Sequence, residues 1–213
     1  MQDLKPLHDA ILNGDAQTAR SVTEKAIADG IKAMDLVNTA MVPAMAEVGR
    51  RFECEDFFVP DLLLAARAMK SALEPLKPLL AAGDVPRAGR VVIGTVKGDL
   101  HEIGKNLVAA MLEGSGFEVF DLGVDVSPER FAKEACERKA DIVAMSALLT
   151  TTMGSMRTTI ESLKAAGIRD RVKVLIGGAP ISQKYADDIG ADGFADNAVS
   201  AVSLARQVLI RAA

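Results

Sequence analysis

A histidine in the second half of the chain has neighbours that could support metal chemistry. His101 is one of two histidines, and it lies two residues after Asp99 in a segment that follows a short apolar run. The Asp carboxylate can accept a hydrogen bond from one ring nitrogen while the other points outward, which fixes the tautomer of a metal-binding imidazole. Taken alone, an Asp-x-His pair on a loop is more often an ordinary solvated pair.

Small and hydroxyl-bearing residues after other apolar runs strengthen the case for a binding site. Gly104 would let a bulky ligand approach the backbone, and Gly177 and Gly178 leave space for a long thin group. Ser146 and residues 150–152 could supply hydroxyl groups, although each of these features also suits a turn or a helix cap. Because a zinc site takes three or four protein ligands, a single imidazole instead favours a metal that arrives in its own macrocycle and needs one axial ligand.

The first part of the chain predicts helices only. Apolar residues at helical spacing indicate four segments: residues 4–11, 15–29, 34–51 and a long helix from Pro60 onward. Pro43 should kink or break the third segment, and Pro75 and Pro78 should fray the end of the fourth. We expect a four-helix bundle, followed by a Gly- and Pro-containing linker at residues 81–89. The predicted domains are therefore residues 1–86 and 87–213.

After the linker, short apolar runs alternate with helical segments. Strands are predicted at residues 91–96, 118–122, 141–145, 172–176 and 192–195, with Ser127 and Pro128 starting one of the intervening helices. Strict alternation predicts an α/β domain with a doubly wound, flavodoxin-like, parallel five-stranded sheet. Ligands of such sheets bind at the carboxyl ends of the strands, where the residues named above fall.

Composition narrows the class of protein. Apolar residues make up 49% of the chain and aromatic residues 4%, and the formal net charge is −4. No clustered basic surface is expected, which argues against nucleic-acid or membrane partners. Only two cysteines are present, and neither a leader peptide nor a spanning segment is recognisable, so we expect a cytoplasmic protein.

The combination of motifs resembles the corrinoid-binding domains that hold cobalamin with its own base displaced and a protein histidine in its place. The matching motifs are Asp99-x-His101-x-x-Gly104, Ser146-x-Leu148 and Gly177-Gly178, in this order. The earlier stretch 48–52, with Phe58-Val59-Pro60, resembles the helical module of cobalamin-dependent methionine synthase and of small corrinoid proteins in methylamine, methanol and aryl methyl ether systems.

This resemblance implies a role for each matching residue. His101 would be the lower cobalt ligand, Asp99 would bond its far nitrogen, and Thr152 would complete the relay in place of a serine. Phe52 and Val59 would shield the upper face of the corrin, with Val59 departing from the more frequent leucine. The expected lining of the cofactor site, including the slot for its displaced tail, is Gly98, Leu100, Glu102, Ile103, Gly104, Ser146, Leu148, Thr150, Gly177, Gly178, Ala179, Ser182, Asp196 and Asn197.

The implied function is to carry a methyl group on cobalt. The implied partners are a donor-specific methyltransferase, an acceptor methyltransferase with a tetrahydrofolate-type or thiol acceptor, and a reductive activase. The protein would not complete turnover without these partner enzymes. The sequence does not identify the methyl donor, because donor specificity belongs to a separate protein.

Four other functions share parts of this pattern. A cobalamin-dependent sensor would pair similar domains with a DNA-binding segment, and a mutase small subunit lacks the helical module. A phosphoacceptor receiver needs an aspartate where Ser146 stands. A dinucleotide-binding fold needs G-x-G-x-x-G after the first strand, which residues 94–98 do not match.

Overall fold

The computed structural model of the chain describes residues 4–76, 79 and 88–210. The chain divides into two compact units, one of Met1–Pro86 with Glu113–Gly116 and the other of Arg87–Leu112 with Phe117–Ala213. Residues 81–87 of the predicted linker, and Pro78, lie outside the described residues. The linker and the exact domain limits therefore stay predictions.

The first unit is a bundle of helices, as predicted. Its helices are α1 (Lys5–Leu12), α2 (Ala16–Ala28), α3 (Ala33–Leu36), α4 (Val42–Glu53) and α5 (Val59–Leu73), and a 3-10 turn, Glu74–Leu76, follows. Asp15 caps α2, since its carboxylate accepts a hydrogen bond from the Thr18 N–H at 3.0 Å. Leu7, Ile11, Leu62 and Met69 are fully buried and form part of the interior of this bundle.

Pro43 interrupts the third predicted helix through a wide turn. Val37–Met41 form a π-helical segment that leads from α3 into α4. A proline inside a helix has no N–H for the carbonyl four residues back, and its ring crowds that carbonyl. The π segment absorbs the mismatch and leaves Pro43 in the first turn of α4, where the missing N–H is not needed.

The second unit contains a parallel sheet. Its strands are β1 (Arg90–Thr95), β2 (Glu118–Asp121), β3 (Ile142–Ser146), β4 (Lys173–Gly177) and β5 (Gly193–Ala195). They are ordered β2-β1-β3-β4-β5, and every neighbouring pair is parallel. This order confirms the predicted flavodoxin-like topology. Most predicted strand limits differ from the observed limits by one residue. Ser146 and Gly177 are therefore the last residues of their strands and not the first residues of the following loops.

Helices cover both faces of this sheet. They are α6 (Ile103–Gly114), α7 (Pro128–Glu137), α8 (Gly154–Ala165), α9 (Gln183–Ile189) and α10 (Ala198–Ile210). Alternate strand residues belong to two separate cores, because successive side chains of a strand point to opposite faces. One core includes Val92, Val143, Val174, Phe131 and Ile160, and the other includes Val91, Ile142, Leu175, Leu112 and Val208.

The helix starts place the loops at the carboxyl edge of the sheet. Ser127 caps α7 through the Arg130 N–H at 3.3 Å, with Pro128 at the first helical position as predicted. Ser182 caps α9 through the Tyr185 N–H at 3.2 Å. These caps direct the strand-to-helix loops toward one edge.

Candidate functional site

Asp99 is the central acceptor of the loop between β1 and α6. Its side chain is fully buried. One carboxylate oxygen, Oδ1, accepts hydrogen bonds from the His101 ring Nδ1 at 2.7 Å and from the His101 N–H at 3.1 Å. The other oxygen, Oδ2, faces the loop after β3 and accepts bonds from the N–H groups of Leu148 and Leu149 at 2.8 and 3.2 Å.

This environment keeps the Asp99 carboxyl ionised. Burial raises the pKa of the group, but the hydrogen bonds that it accepts, led by the one from the Leu148 N–H, lower the pKa by more. The net pKa of Asp99 lies well below the ordinary value of 3.8. An ionised carboxylate can only accept hydrogen bonds, so the His101 Nδ1 that it contacts must be the protonated nitrogen.

His101 therefore presents its other nitrogen, Nε2, with a free lone pair when the ring is neutral. The His101 side chain is 50% exposed, although its Asp99 partner is fully buried. An anchored Nδ1 and a half-exposed ring together give an imidazole of fixed tautomer that can bind an external metal. The structure thus brings together the predicted Asp99–His101 pair.

Thr152 joins the pair from the start of α8. Its hydroxyl lies 2.7 Å from Asp99 Oδ2 and 2.8 Å from the Leu149 carbonyl, and the residue is buried. A hydroxyl has one proton, and both neighbours are acceptors here, so it donates to one of them at a time. The structure thus brings Thr152 to the carboxylate that holds His101, and the relay role implied by the resemblance stays a prediction.

Several residues that brace this loop were missed by the sequence analysis. Thr95, at the end of β1, donates its hydroxyl to the His101 carbonyl at 2.8 Å. Asp125 accepts the Gly98 N–H at 2.8 Å and the Lys97 ammonium at 3.0 Å. Asp125 belongs to the exit of β2, which was the one strand end not considered. A second aspartate near the end of that strand, Asp121, was the available sequence signal.

An ion pair between a buried ammonium and a partly exposed carboxylate lies at the helical end of the same loop. The Lys105 side chain is 1% exposed, and its ammonium contacts the Asp121 carboxylate and, at 2.6 Å, the Asn106 side-chain oxygen. Asp121 also accepts the Gly123 N–H at 2.8 Å. The pair ties the first turn of α6 to the exit of β2, so polar contacts hold the His101 loop at both ends.

Exposed apolar residues occur next to His101 in the β1 loop and on the loop whose N–H groups bond Asp99. Leu100 and Ile103 are 71% and 87% exposed, and Leu148, whose N–H bonds Asp99, is 42% exposed. Gly104 has open space where a side chain would project. Exposed apolar groups around a polar ligand atom are typical of a surface that a flat apolar molecule covers.

The glycines at the end of β4 are required by the backbone itself. A Cβ on Gly178, whose φ is +127°, would lie 1.9 Å from the Ala147 carbonyl oxygen. A Cβ on Gly177 would lie 2.9 Å from the Ala195 carbonyl oxygen. Close approach of the neighbouring strand ends explains both residues before any ligand is considered.

The predicted residues at the end of β5 act as a helix cap. Asn197 accepts the N–H groups of Val199 and Ser200 at 2.9 and 2.8 Å at the start of α10. Asp196 accepts the Ser200 hydroxyl at 2.7 Å. These contacts account for both side chains structurally, and their role toward a cofactor stays a prediction.

The other predicted residues differ in exposure. Ser146 and Phe52 are half-buried, and Val59 is exposed at the first position of α5, in the other unit. The exposed members of the set are Gly98, Glu102, Thr150, Ala179 and Ser182. Among the described residues, no group of three or more His, Cys, Asp or Glu side chains could hold a metal ion. None of the described helices is long and apolar enough to cross a bilayer.

The fold and the loop define a class of protein: a flavodoxin-like domain that offers one carboxylate-anchored imidazole at the carboxyl edge of its sheet. Protein-family models match both parts of the chain. Two models, each described as a B12 binding domain, match residues 89–203 and residues 4–77.

Relatives of known type match over nearly the whole length. Trimethylamine corrinoid protein 1 of Methanosarcina acetivorans is 45% identical over 204 residues, covering 95% of this chain and 94% of that protein. The dimethylamine corrinoid protein of Methanosarcina barkeri is 42% identical, with 97% of each chain covered. This chain therefore belongs to the B12-binding corrinoid protein family.

Solved structures show the same architecture. A cobalamin-binding protein from Desulfitobacterium hafniense superposes with a TM-score of 0.82 at 36% identity, covering 97% of this chain and 98% of that one. The methanol:cobalamin methyltransferase complex of Methanosarcina barkeri contains a chain that superposes with a TM-score of 0.83 at 29% identity, covering 97% and 79%. The recognised family and fold class are thus confirmed.

Proposed function

We propose that this protein carries a methyl group on a corrinoid whose lower cobalt ligand is His101 Nε2. The observation that carries the proposal is the 2.7 Å contact between Asp99 Oδ1 and His101 Nδ1, on a ring that is half exposed. One nitrogen is committed to a buried anion, so the other remains available to a metal.

The surroundings of His101 fit a corrin ring. Leu100, Ile103 and Leu148 present exposed apolar surface on the two loops that Asp99 joins, and a side chain on Gly104 would project into open space. A macrocycle that supplies its remaining metal ligands needs only one protein nitrogen, and the anchored His101 ring offers one. A corrinoid bound here would supply cobalt-centred methyl-transfer chemistry.

The residues of the chain control the proton and the orientation of the ring. Asp99 holds the proton at His101 Nδ1, because its lowered pKa keeps it an acceptor. With Nδ1 bonded to Asp99, the Nε2 lone pair of the neutral ring points away from the carboxylate. The Thr152 hydroxyl can donate either to Asp99 or to the Leu149 carbonyl.

The proposed site for the displaced cofactor tail is the edge formed by the exits of β3, β4 and β5. Ser146 and Gly177 are paired in register at this edge. The polar residues Ser182, Asp196 and Asn197 lie after the neighbouring strands. The roles of Phe52 and Val59 toward the upper face rest on the sequence resemblance alone.

Methyltransferases are the proposed partners. The names of the relatives associate them with trimethylamine and dimethylamine, and one matching structure is a complex with a methanol:cobalamin methyltransferase. We propose that this chain likewise accepts a methyl group from a donor-specific methyltransferase and delivers it to an acceptor methyltransferase. A reductive activase would return over-oxidised cobalt to the active state.

The ligand assignment is tested by isotope labelling. The protein is produced with ¹⁵N-histidine, reconstituted with hydroxocobalamin, reduced to cobalt(II) and examined by EPR. Coupling to a protein imidazole gives a doublet pattern in place of the triplet that ¹⁴N produces. His101→Ala should abolish the doublet, and His8→Ala should retain it, because His8 is the other histidine of the chain.

Two results would contradict the proposal. A triplet in the ¹⁵N-histidine sample would mean that the cofactor keeps its own base. A doublet that survives in His101→Ala would place the ligand elsewhere. Methyl transfer is then tested by mixing the methylated protein with candidate acceptor methyltransferases and following demethylation in the visible spectrum.

A further inference from the structure

Thr95 contacts the backbone of the residue that carries the proposed ligand. It is the last residue of β1 and is fully buried. Its hydroxyl donates to the His101 carbonyl at 2.8 Å, across six residues of sequence. This bond joins the rigid end of a central strand to the loop just before α6 begins.

The other two hydrogen bonds of His101 share one acceptor. Its N–H and its ring Nδ1 both reach the same atom, Asp99 Oδ1, at 3.1 and 2.7 Å. The bond from Thr95 is made to a different group of the residue, the His101 carbonyl, and it comes from a different element, the end of β1. It therefore adds a second point of attachment for the His101 backbone.

Two other fully buried threonines among the described residues are bonded differently. Thr23 and Thr159 are also fully buried, and each donates its hydroxyl at 2.8 Å to the carbonyl four residues earlier in its own helix. Such bonds satisfy a hydroxyl locally and connect no separate elements. The bond of Thr95 is made to a loop that has no helical ladder of its own to hold the carbonyl.

We propose that Thr95 is a positioning residue for His101, and that its hydroxyl sets the direction in which Nε2 points. The effect on metal ligation rests on the proposed function, whereas the effect on the loop does not. Removing the hydroxyl should let the imidazole sample orientations that cannot reach cobalt. Outer contacts of metal-ligating histidines typically change metal affinity by about 10- to 100-fold.

Three variants separate the hydrogen bond from packing. Thr95→Val keeps the volume and removes the donor, whereas Thr95→Ser keeps the donor and removes a buried methyl group. Thr159→Val is the matched control, because it deletes an equally buried hydroxyl with an equally short bond. All three are made in the full chain.

The first measurement uses the protein without cofactor. Hydrogen exchange of the His101 amide, followed by NMR, reports how firmly the loop is held. We expect exchange about 10-fold faster in Thr95→Val, and near wild type in Thr95→Ser and Thr159→Val. Unchanged exchange in Thr95→Val, or faster exchange in the Ser variant than in the Val variant, would overturn the inference.

The second measurement uses hydroxocobalamin. We expect its Kd to rise about 10-fold in Thr95→Val, together with a smaller share of the cobalt(II) EPR signal that shows protein-nitrogen coupling. If exchange accelerates while Kd and EPR stay unchanged, Thr95 orders the loop without orienting the ligand, and the inference fails. If the wild type shows no protein-nitrogen coupling, the proposed function fails, and the exchange result still decides whether Thr95 holds the loop.

Discussion

The loops that follow β1 and β4 end at the same edge of the sheet, but different interactions hold them. The β1 loop is held by side-chain hydrogen bonds, in which Asp99, Asp125 and Thr95 each fix a backbone group. The β4 loop is held by close backbone contact, which only glycine permits at position 178. The difference teaches that deleting atoms should loosen the first loop, whereas adding atoms should disrupt the second.

The largest effect is expected from Asp99→Ala. The substitution removes the common acceptor of several hydrogen bonds, one of them from the buried Thr152 hydroxyl, so the free energy of unfolding should fall by about 4 kcal/mol. Urea unfolding of the cofactor-free protein measures the loss. The control is Asp9→Ala, which removes the other Asp–His pair of the chain, at 3.1 Å and 45% exposed. The control should change stability by less than about 0.5 kcal/mol.

The pH dependence of the free energy of unfolding, compared between wild type and Asp99→Ala, tests the same carboxylate further. The pKa of Asp99 is lowered by folding, so its ionisation stabilises the native state above the ordinary value of 3.8. That contribution is lost as the pH falls below this value toward the folded pKa. The stability difference between wild type and Asp99→Ala should therefore narrow below about pH 4. A constant difference down to the acid transition would show that ionisation contributes nothing.

The next largest effect is expected from Gly178→Ala in the β4 loop. The new methyl group would collide with the Ala147 carbonyl oxygen, and alanine tolerates a φ of +127° poorly. The loss of stability should be about 3 kcal/mol, measured by urea unfolding. A loss below about 1 kcal/mol would show that the two strand ends can separate, and that the β4 loop is not held by close packing.

A smaller effect is expected at the far end of the β1 loop. Asp121→Ala should cost about 2 kcal/mol, because it leaves the buried Lys105 ammonium with less compensation. Lys105→Met should cost less, since the Asp121 carboxylate is 39% exposed and water can solvate it. Both are compared by thermal unfolding. An equal loss of stability in the two variants, or a larger loss in Lys105→Met, would show that the buried ammonium does not depend on Asp121 more than the carboxylate depends on Lys105.

The smallest effect should have the opposite sign. Gly104→Ala places a methyl group in open space in the first turn of α6, where alanine favours the helix. Stability of the cofactor-free protein should rise by about 0.5 kcal/mol. If a corrinoid covers this surface, the same variant should bind hydroxocobalamin more weakly than wild type. Unchanged binding would mean that the approach to His101 lies on another side of the loop.

The sequence predicted the parts of the fold and site that depend on local pattern. Alternating apolar runs predicted the parallel α/β sheet, and the commonest five-stranded topology of such sheets gave the strand order. The spacing of Asp99 and His101 allowed their contact, but only the neighbouring motifs favoured it over a solvated pair. Pro43 was correctly expected to disturb its helix, although a π segment was not foreseen, because the width of a turn depends on packing around it.

Contacts between distant positions were not predictable in the same way. The contacts of Thr95, Asp125 and Asp121 depend on how loops from different strands come together, which no local spacing encodes. Gly177 and Gly178 were predicted to leave space for a ligand, and that role stays a prediction; the structure adds that an added Cβ at either position would meet a neighbouring carbonyl oxygen. A glycine in a sequence indicates that a side chain is absent, but it does not indicate whether backbone or a ligand lies in the place of that side chain.

The two oxygens of the Asp99 carboxylate accept hydrogen bonds from two different loops. Oδ1 accepts the hydrogen bond from the imidazole, and Oδ2 accepts those from the Leu148 and Leu149 amides. The carboxylate therefore connects the β1 loop directly to the β3 loop. The side chains of those two leucines are more than two-fifths exposed. Displacement of those two leucines would therefore shift the Asp99 carboxylate. The shift would change the position of the His101 ring without any direct contact with the histidine.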